Sequence, residues 1–141
     1  MQSNRPSKSC RFDSPVSNDT LIVLAEDNAE LRALLAGALE RVGYHVAQAE
    51  TGARLVTLVE ELHAAGRIVA LVITDVRMPV VGGIDAAHAL RATGHHVPLI
   101  FMTAYGDAWT RSRAAELGAL LLDKPLSLGV LRHAVQQALS D

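Results

Sequence analysis

The stretch LVITDVRMP at residues 71–79 decides the fold of this chain. An apolar run from Leu71 to Thr74, suited to a buried β-strand, ends in the carboxylate of Asp75, and the chain turns at Pro79. Burying an unpaired carboxylate costs on the order of several kcal/mol, so this acid must reach water or a cation. The stretch therefore predicts a buried strand that delivers a carboxylate to the edge of a sheet.

Short apolar runs and amphipathic segments alternate along the rest of the chain. The predicted strands cover residues 20–25, 44–50, 68–75, 97–103 and 119–123. The predicted helices cover residues 31–42, 52–65, 84–92, 107–117 and the segment from Ser127 onward. Asp107 is the expected N-cap of the fourth helix, and glycines mark several helix ends. Strict alternation predicts a doubly wound α/β fold, in which helices cover both faces of a parallel sheet.

The composition is that of an ordinary protein of one domain. The chain has 141 residues, half of them hydrophobic, and a formal net charge of −2. This balance indicates neither nucleic-acid binding nor an acidic disordered protein, and no apolar stretch approaches the roughly 18–20 residues that span a bilayer. Residues 1–18 are expected to form a flexible polar tail that lacks the apolar segment of a signal peptide. The single Cys10 forms no internal disulfide, so a reducing, cytoplasmic location is expected.

Right-handed crossovers bring the carboxyl ends of parallel strands to one edge of the sheet, where ligands bind. The residues expected at that edge are Glu26, Asp27, Asp75, Thr103 and Lys124. Three carboxylates and one ammonium leave about two excess negative charges, which a divalent cation would cancel. Oxygen ligands without histidine or cysteine favour a hard ion, so Mg²⁺ is the expected cofactor.

Each acid taken alone has a simpler explanation, because solvated loop residues and helix caps are common at strand ends. Asn28, or Asp27 itself, is a candidate cap for the first helix. Acids, a threonine and a lysine that follow the strands in order make a joint site the stronger interpretation. The six histidines, including His95 and His96 before Pro98, show no convergent ligand spacing, so no metal is assigned to them.

Residues 20–139 resemble a receiver domain of the response-regulator family of two-component signalling. The segments that carry the resemblance are LAEDN at 24–28, TDVRMP at 74–79, Gly83, FMTAYG at 101–106 and DKP at 123–125. The resemblance implies a five-stranded sheet in the flavodoxin-like order 2-1-3-4-5. It also implies a receiver domain over residues 19–141 and a function in phosphorelay signal transduction.

The resemblance implies a phosphoacceptor and a metal site. Asp75 would be the carboxylate nucleophile that takes a phosphoryl group from a phosphohistidine. Asp27 would bind Mg²⁺ directly, together with Asp75 and the backbone carbonyl of Arg77, whereas Glu26 would act mainly through a metal-bound water. Phosphoryl transfer needs little beyond in-line positioning and charge neutralisation, and this set provides both.

Two further residues would stabilise the phosphorylated state. Lys124 would pair with the phosphoryl oxygens, and the Thr103 hydroxyl would turn inward to hydrogen-bond the phosphoryl group. The movement of Thr103 is how such domains usually convert local charge into a surface change. The bond between Lys124 and Pro125 is expected to be cis, as is common in this family.

The chain departs from the family pattern at the position that usually transmits the change at the phosphoacceptor to the protein surface. Leu121 stands three residues before the lysine, where the family usually has a Tyr or Phe that reports the state of the hydroxyl. Tyr105, two residues after Thr103, is the nearest replacement. Arg77, two residues after Asp75, would tune the lifetime of the acyl phosphate, either by hindering an attacking water or by assisting the phosphoryl group.

Other functions that begin from the same acids fit less well. A haloacid-dehalogenase-type phosphatase needs a second aspartate two positions after the nucleophile, where Arg77 stands. A nucleotide or flavin site needs a Gly- or Ser/Thr-rich loop after the first strand, and this chain has AEDNAE there. The remaining alternative is a receiver-like binding module that signals without phosphorylation. We expect a phosphoacceptor switch and not an enzyme, apart from slow self-dephosphorylation.

The expected partners are a histidine kinase or a histidine phosphotransfer protein, and a downstream target that the sequence does not name. Trp109 lies near the face that receivers often use for partners or self-association, so a homodimer is an expectation beside a half-buried packing role. Neither nucleic acid nor a membrane is expected as a direct partner. No output domain is visible, and Met1 with the polar tail favours a complete chain over a fragment of a hybrid kinase.

Overall fold

The computed structural model describes residues 19–140; the tail at 1–18, with Cys10, and Asp141 lie outside the described residues. The strands are β1 (Leu21–Ala25), β2 (His45–Ala49), β3 (Val69–Asp75), β4 (Leu99–Thr103) and β5 (Leu120–Asp123). The helices are α1 (Ala29–Arg41), α2 (Gly52–Ala64), α3 (Gly83–Ala92), α4 (Ala108–Glu116) and α5 (Leu128–Ser140). The predicted elements are confirmed in type and order, with boundaries that move by one or two residues.

The strands form one parallel sheet in the order β2-β1-β3-β4-β5. This confirms the doubly wound α/β fold and its flavodoxin-like order. The least apolar of the strands, β2, lies at an edge, where one side is open to water. Asp75 pairs in register with Met102, and Thr103 pairs with Asp123. The polar residues that end β3 and β4 therefore reach the same edge of the sheet.

Alternation along each strand divides the core into two layers. Val23 and Ala25 pack with residues of α2, α3 and α4, whereas Ile22 and Leu24 pack with residues of α1 and α5. The central strand β3 is buried on both faces, which explains its nearly continuous apolar run. Within the part of the chain that the structure describes, no helix combines the length and the apolar character needed to cross a membrane.

Side-chain caps begin α1 and α4, which follow β1 and β4, whereas α3, which follows β3, is preceded by Gly82 and has none. The side chain of Asn28 accepts the backbone N–H of Leu31 at 3.0 Å, and that of Asp107 accepts the N–H of Thr110 at 2.8 Å. Each cap satisfies a backbone donor that the first helical turn leaves unpaired. Because Asn28 caps α1, the carboxylate of Asp27 is left available for another role.

Arg91, near the end of α3, joins two connections at the amino edge of the sheet. Its guanidinium donates to the carbonyl oxygens of His95 at 3.0 Å and Val97 at 2.8 Å in the α3–β4 connection. It also donates to the carbonyl oxygen of Leu117 at 3.2 Å in the α4–β5 connection. One side chain therefore fixes the chain just before β4 and just before β5.

Candidate functional site

Three carboxylates meet at the carboxyl edge of the sheet. Glu26 and Asp27 follow β1, and Asp75 ends β3, the neighbouring strand. One oxygen of each carboxylate lies within 4.8 Å of the other two. Glu26 is 1% exposed and Asp75 is 6% exposed, whereas Asp27 is open to solvent. The fold thus brings the three predicted acids together and gives them different access to water.

Lys124, directly after β5, places a cation between two of these acids. Its ammonium donates to Glu26 Oε1 at 2.9 Å and to Asp75 Oδ2 at 3.0 Å. This ammonium balances one of the three carboxylates and leaves two negative charges in excess. The bond between Lys124 and Pro125 is cis, as the resemblance implies.

Burial and ion pairing act in opposite directions on the pKa values of this pair. Burial raises the pKa of Glu26, and the charge of Asp75 adds to the increase, while hydrogen bonds from Lys124 and the backbone of Asn28 oppose it. Partial burial lowers the pKa of Lys124, but its hydrogen bonds to Glu26 and Asp75 outweigh that effect and the pKa is raised. Both groups hold protons more readily than they would in water, Glu26 chiefly because it is buried and Lys124 because it pairs with two carboxylates.

The carboxylate oxygens that accept no hydrogen bond are suitable ligands for a hard divalent cation. Both oxygens of Glu26 are used, since Oε1 accepts from Lys124 and Oε2 accepts from the backbone N–H of Asn28 at 3.1 Å. No residue that the structure describes donates a hydrogen bond to the carboxylate of Asp27 or to the second oxygen of Asp75. Asp27 and Asp75 therefore have free oxygens for Mg²⁺, and Glu26 is placed to reach it through water.

The hydroxyl of Thr103 is bound to the backbone of the β4–α4 connection. Its O–H donates to the carbonyl oxygen of Tyr105, and its oxygen accepts from the backbone N–H of Tyr105, both at 3.0 Å. The side chain is 1% exposed and ends the strand next to β3. Because a hydroxyl has a single proton, donation to a phosphoryl group requires release of the Tyr105 carbonyl.

Arg77 and Tyr105 stack on each other near the site. The guanidinium carbon of Arg77 lies 5.3 Å from the centre of the Tyr105 ring, and Tyr105 is 66% exposed. Leu121 is half-buried and packs, with Leu117 and Ala119, against the core layer under α2, α3 and α4. Leu121 is thus a packing residue of β5, and the aromatic residue whose backbone is hydrogen-bonded to the Thr103 hydroxyl is Tyr105.

The connection after Asp75 is shaped by a close backbone approach and a tight turn. A Cβ on Gly83, the first residue of α3, would collide with the backbone carbonyl oxygen of Asp75. At the tip of the connection Val80 has φ of 68°, and its side chain is fully exposed. The N–H of Val81 closes the turn on the carbonyl oxygen of Pro79 at 2.8 Å. Sequence analysis singled out Gly83 but missed the strained Val80, because valine carries no signal for a positive φ.

The fold and this edge define a class of protein: a receiver, the signalling domain that carries an acid pocket and an opposing lysine on a five-stranded parallel sheet. The sequence comparison agrees, since residues 22–136 match the response regulator receiver domain family. The chain belongs to this family, a component of two-component signalling systems.

Curated relatives match most of this chain but are longer proteins. The transcriptional regulatory protein PdtaR of Mycobacterium tuberculosis is 38% identical over 121 residues, which cover 84% of this chain and 56% of that protein. The sensor kinase CckA of Brucella abortus is 33% identical over 125 residues, which cover 88% of this chain and 13% of that protein. The chain spans about half, or much less, of the length of these relatives.

Solved structures share the fold at low sequence identity. The CheY-like response regulator receiver domain protein of Methanospirillum hungatei superposes with a TM-score of 0.77 at 19% identity. The match covers 86% of this chain and 94% of that one. At this identity the likeness establishes the architecture and nothing finer.

Proposed function

We propose that this receiver is a Mg²⁺-dependent phosphoacceptor switch that takes a phosphoryl group from a phosphohistidine onto Asp75. The observation that carries the proposal is the geometry of Lys124, which holds Asp75 at 3.0 Å and Glu26 at 2.9 Å with Asp27 in the same cluster. A pairing lysine, an acceptor carboxylate and free acid oxygens at one sheet edge are the parts that phosphoryl transfer to an aspartate needs.

The transfer exchanges one bond for another. A carboxylate oxygen of Asp75 attacks the phosphorus, an oxygen–phosphorus bond forms, and the phosphorus–nitrogen bond to the partner's histidine breaks. The imidazole leaves with the electron pair of that bond. When bound, Mg²⁺ would neutralise the phosphoryl oxygens and the excess acid charge. Asp27 and Asp75 would hold it, with the backbone carbonyl of Arg77, and Glu26 would act through water.

The lysine and the threonine would hold the product. The ammonium of Lys124 exchanges a carboxylate partner for a phosphoryl oxygen, which keeps a charge-assisted hydrogen bond throughout. The Thr103 hydroxyl donates to another phosphoryl oxygen once it releases the carbonyl of Tyr105. Loss of that hydrogen bond frees the start of the β4–α4 connection.

Tyr105, rather than Leu121, would then transmit the change at Asp75 to the protein surface. The backbone of Tyr105 is bonded directly to the Thr103 hydroxyl, and its exposed ring contacts Arg77, two residues after the acceptor. Trp109, on the following helix, is 61% exposed, and its ring lies 5.8 Å from the guanidinium carbon of Arg113. Tyr105 and Trp109 together offer a surface for a target protein; a homodimer through α4 stays a prediction.

The cellular setting belongs to the same proposal. The phosphodonor would be a histidine kinase or a histidine phosphotransfer protein in the cytoplasm, and the named kinase among the relatives is consistent with such a pathway. The chain would act as a switch and not as an enzyme with turnover beyond slow loss of its own phosphoryl group.

The decisive experiment treats the full chain with a small phosphodonor and Mg²⁺ and measures the intact mass. We expect the gain of one phosphoryl group in the wild type, no gain with Mg²⁺ chelated, and no gain in Asp75→Asn. Asp85→Asn, which changes an exposed aspartate in the first turn of α3, is the matched control and should be phosphorylated normally. A wild-type protein that gains no mass while folded would instead support a binding module that signals without phosphorylation.

A further inference from the structure

Two histidines meet at the amino edge of the sheet, far from Asp75. His63 lies in the last turn of α2, and His95 lies in the connection between α3 and β4. Their ring centres are 5.1 Å apart, with the ring planes at 80°. Sequence spacing did not pair them because they belong to different elements that only the fold brings together.

Both rings line an open cavity of about 370 Å³ between α2, the start of β3 and the α3–β4 connection. His96 and Arg67 line it as well, and no acidic residue does. The imidazole nitrogens of the three histidines have no hydrogen-bond partner among residues 19–140. Their lone pairs are therefore available to a ligand that enters the cavity.

The separation of the two rings matches that of two imidazoles on one tetrahedral metal ion. A Zn–N bond is about 2.0–2.1 Å, and the ring centre lies roughly 1.1 Å beyond the nitrogen, so two such ligands have centres about 5.2 Å apart. The observed distance of 5.1 Å needs no movement of the backbone. His63 is exposed, so its ring is free to turn from the present edge-to-face contact toward a shared ion.

The ends of two helices supply a favourable field for a cation at this place. α2 ends at Ala64, directly after His63, and α3 ends at Ala92, shortly before His95. The carboxyl end of a helix carries partial negative charge from its unpaired carbonyl groups. Two such ends beside one cavity partly offset the positive charges of Arg67 and of Arg91, whose guanidinium donates to the carbonyl oxygen of His95 at 3.0 Å.

We propose that His63 and His95 form a binding site for a transition-metal ion of the Zn²⁺ class, with water available for the remaining positions. Imidazole ligands favour such ions over Mg²⁺, which prefers oxygen and belongs to the acid cluster at the opposite edge. The bound ion links the end of α2 to the α3–β4 connection. The site is independent of the phosphoacceptor function.

Calorimetric titration of the full chain with ZnCl₂, in millimolar MgCl₂ that occupies the acid cluster, tests the proposal. We expect one Zn²⁺ per chain and an affinity at least tenfold weaker in His63→Ala and in His95→Ala. Zn²⁺ should also raise the melting temperature of the wild type and leave those of the two variants unchanged. Arg67→Ala, which removes a positive charge from the cavity, should tighten binding severalfold.

The controls separate this site from other ligands of the chain. His88→Ala removes an exposed histidine outside the cavity, Cys10→Ser removes the thiol, and Asp75→Asn removes a member of the acid cluster. All three should bind Zn²⁺ as the wild type does. Unchanged binding in folded His63→Ala and His95→Ala, or loss of binding in Cys10→Ser or Asp75→Asn, would overturn the proposal.

Discussion

The ammonium of Lys124 lies 3.0 Å from the carboxylate of Asp75, although the whole of β4 separates their strands in the sheet. Lys124 directly follows the end of β5, and its ammonium also donates a hydrogen bond to Glu26. Lys124 therefore forms ion pairs with two of the three carboxylates of the acid cluster. Several measurable consequences depend on that relationship and on the backbone around it.

Lys124→Met should destabilise the metal-free protein by about 2 kcal/mol. The substitution leaves two poorly exposed carboxylates without their cation, and the loss is less than for a fully buried pair because the lysine side chain is 21% exposed. Saturating Mg²⁺ should recover much of the deficit, since the ion replaces the missing positive charge. Urea unfolding with and without Mg²⁺ measures both effects.

The matched control is Arg54→Met, which breaks the exposed ion pair between Arg54 and Glu61 at 3.1 Å. Its effect should be within about 0.5 kcal/mol and independent of Mg²⁺. Equal responses to Mg²⁺ in Lys124→Met and in the wild type would contradict the account of charge balance.

Gly83→Ala should lower stability by about 2 kcal/mol or more and reduce phosphorylation, because the added methyl group meets the backbone carbonyl of Asp75. Gly37→Ala is the paired control: it lies within α1, where the nearest atom to an added Cβ is the flexible end of Arg41 at 3.8 Å. That substitution should stabilise the protein by up to about 1 kcal/mol through helix propensity. Thermal melts and the phosphodonor assay are measured on both variants. A loss in Gly83→Ala alone shows that the contact with the Asp75 carbonyl, and not the replacement of a glycine by alanine, is responsible.

Val80→Gly should raise the free energy of unfolding by roughly 0.5 kcal/mol, since relief of the positive φ outweighs the greater entropy that glycine has in the unfolded chain. The exposed valine side chain loses no packing. Ile68→Gly also replaces an exposed residue, 84% accessible, but at an ordinary φ, so it should not stabilise. Equal changes in the two variants in urea would argue against backbone strain at Val80.

The cap at Asp107 makes part of the stability depend on pH. Hydrogen bonds from the backbone and hydroxyl of Thr110 lower the pKa of Asp107 below its ordinary value of 3.8, and the charge of Arg77 adds to them. A lowered pKa in the folded state means that the stabilisation is present above pH 3.8 and is lost as the pH falls through the folded-state pKa. Melting temperatures of the wild type should therefore approach those of Asp107→Ala at low pH, whereas Asp107→Asn, which caps without titrating, should show no such convergence.

Arg77 and Tyr105 should act as a coupled pair on the lifetime of the phosphorylated state. If the ring holds the guanidinium, Tyr105→Ala changes the decay rate in the wild-type background and has little further effect in Arg77→Ala. Tyr105→Phe keeps the ring and should decay like the wild type. Equal effects of Tyr105→Ala in both backgrounds, followed by mass spectrometry over time, would show that the stack has no influence on the site.

Sequence alone predicted those features that follow from topology. Right-handed crossovers bring the carboxyl ends of all parallel strands to one edge of the sheet. The order of residues along the chain therefore predicted that Glu26, Asp27 and Asp75 lie near Lys124. The cap at Asp107 was equally local, because side chain and backbone donor are three residues apart. Such features depend on order along the chain.

The sequence did not predict the features that depend on side-chain direction. The stacking of Arg77 on Tyr105, and the pairing of the Thr103 hydroxyl with the backbone of Tyr105, result from rotamers that tertiary packing selects. The approach of His63 to His95 depends on how far two helices extend at the other edge. The periodicity of the sequence does not predict these distances.

The guanidinium of Arg91 joins the two connections that lead into β4 and β5. Residues 95, 97 and 117 are held by that one side chain, and the strands that start next to them end at Thr103 and Asp123, beside Lys124. Arg91 therefore fixes the places where the strand that ends in Thr103 and the strand that precedes Lys124 begin, although it lies at the opposite edge of the sheet from both residues.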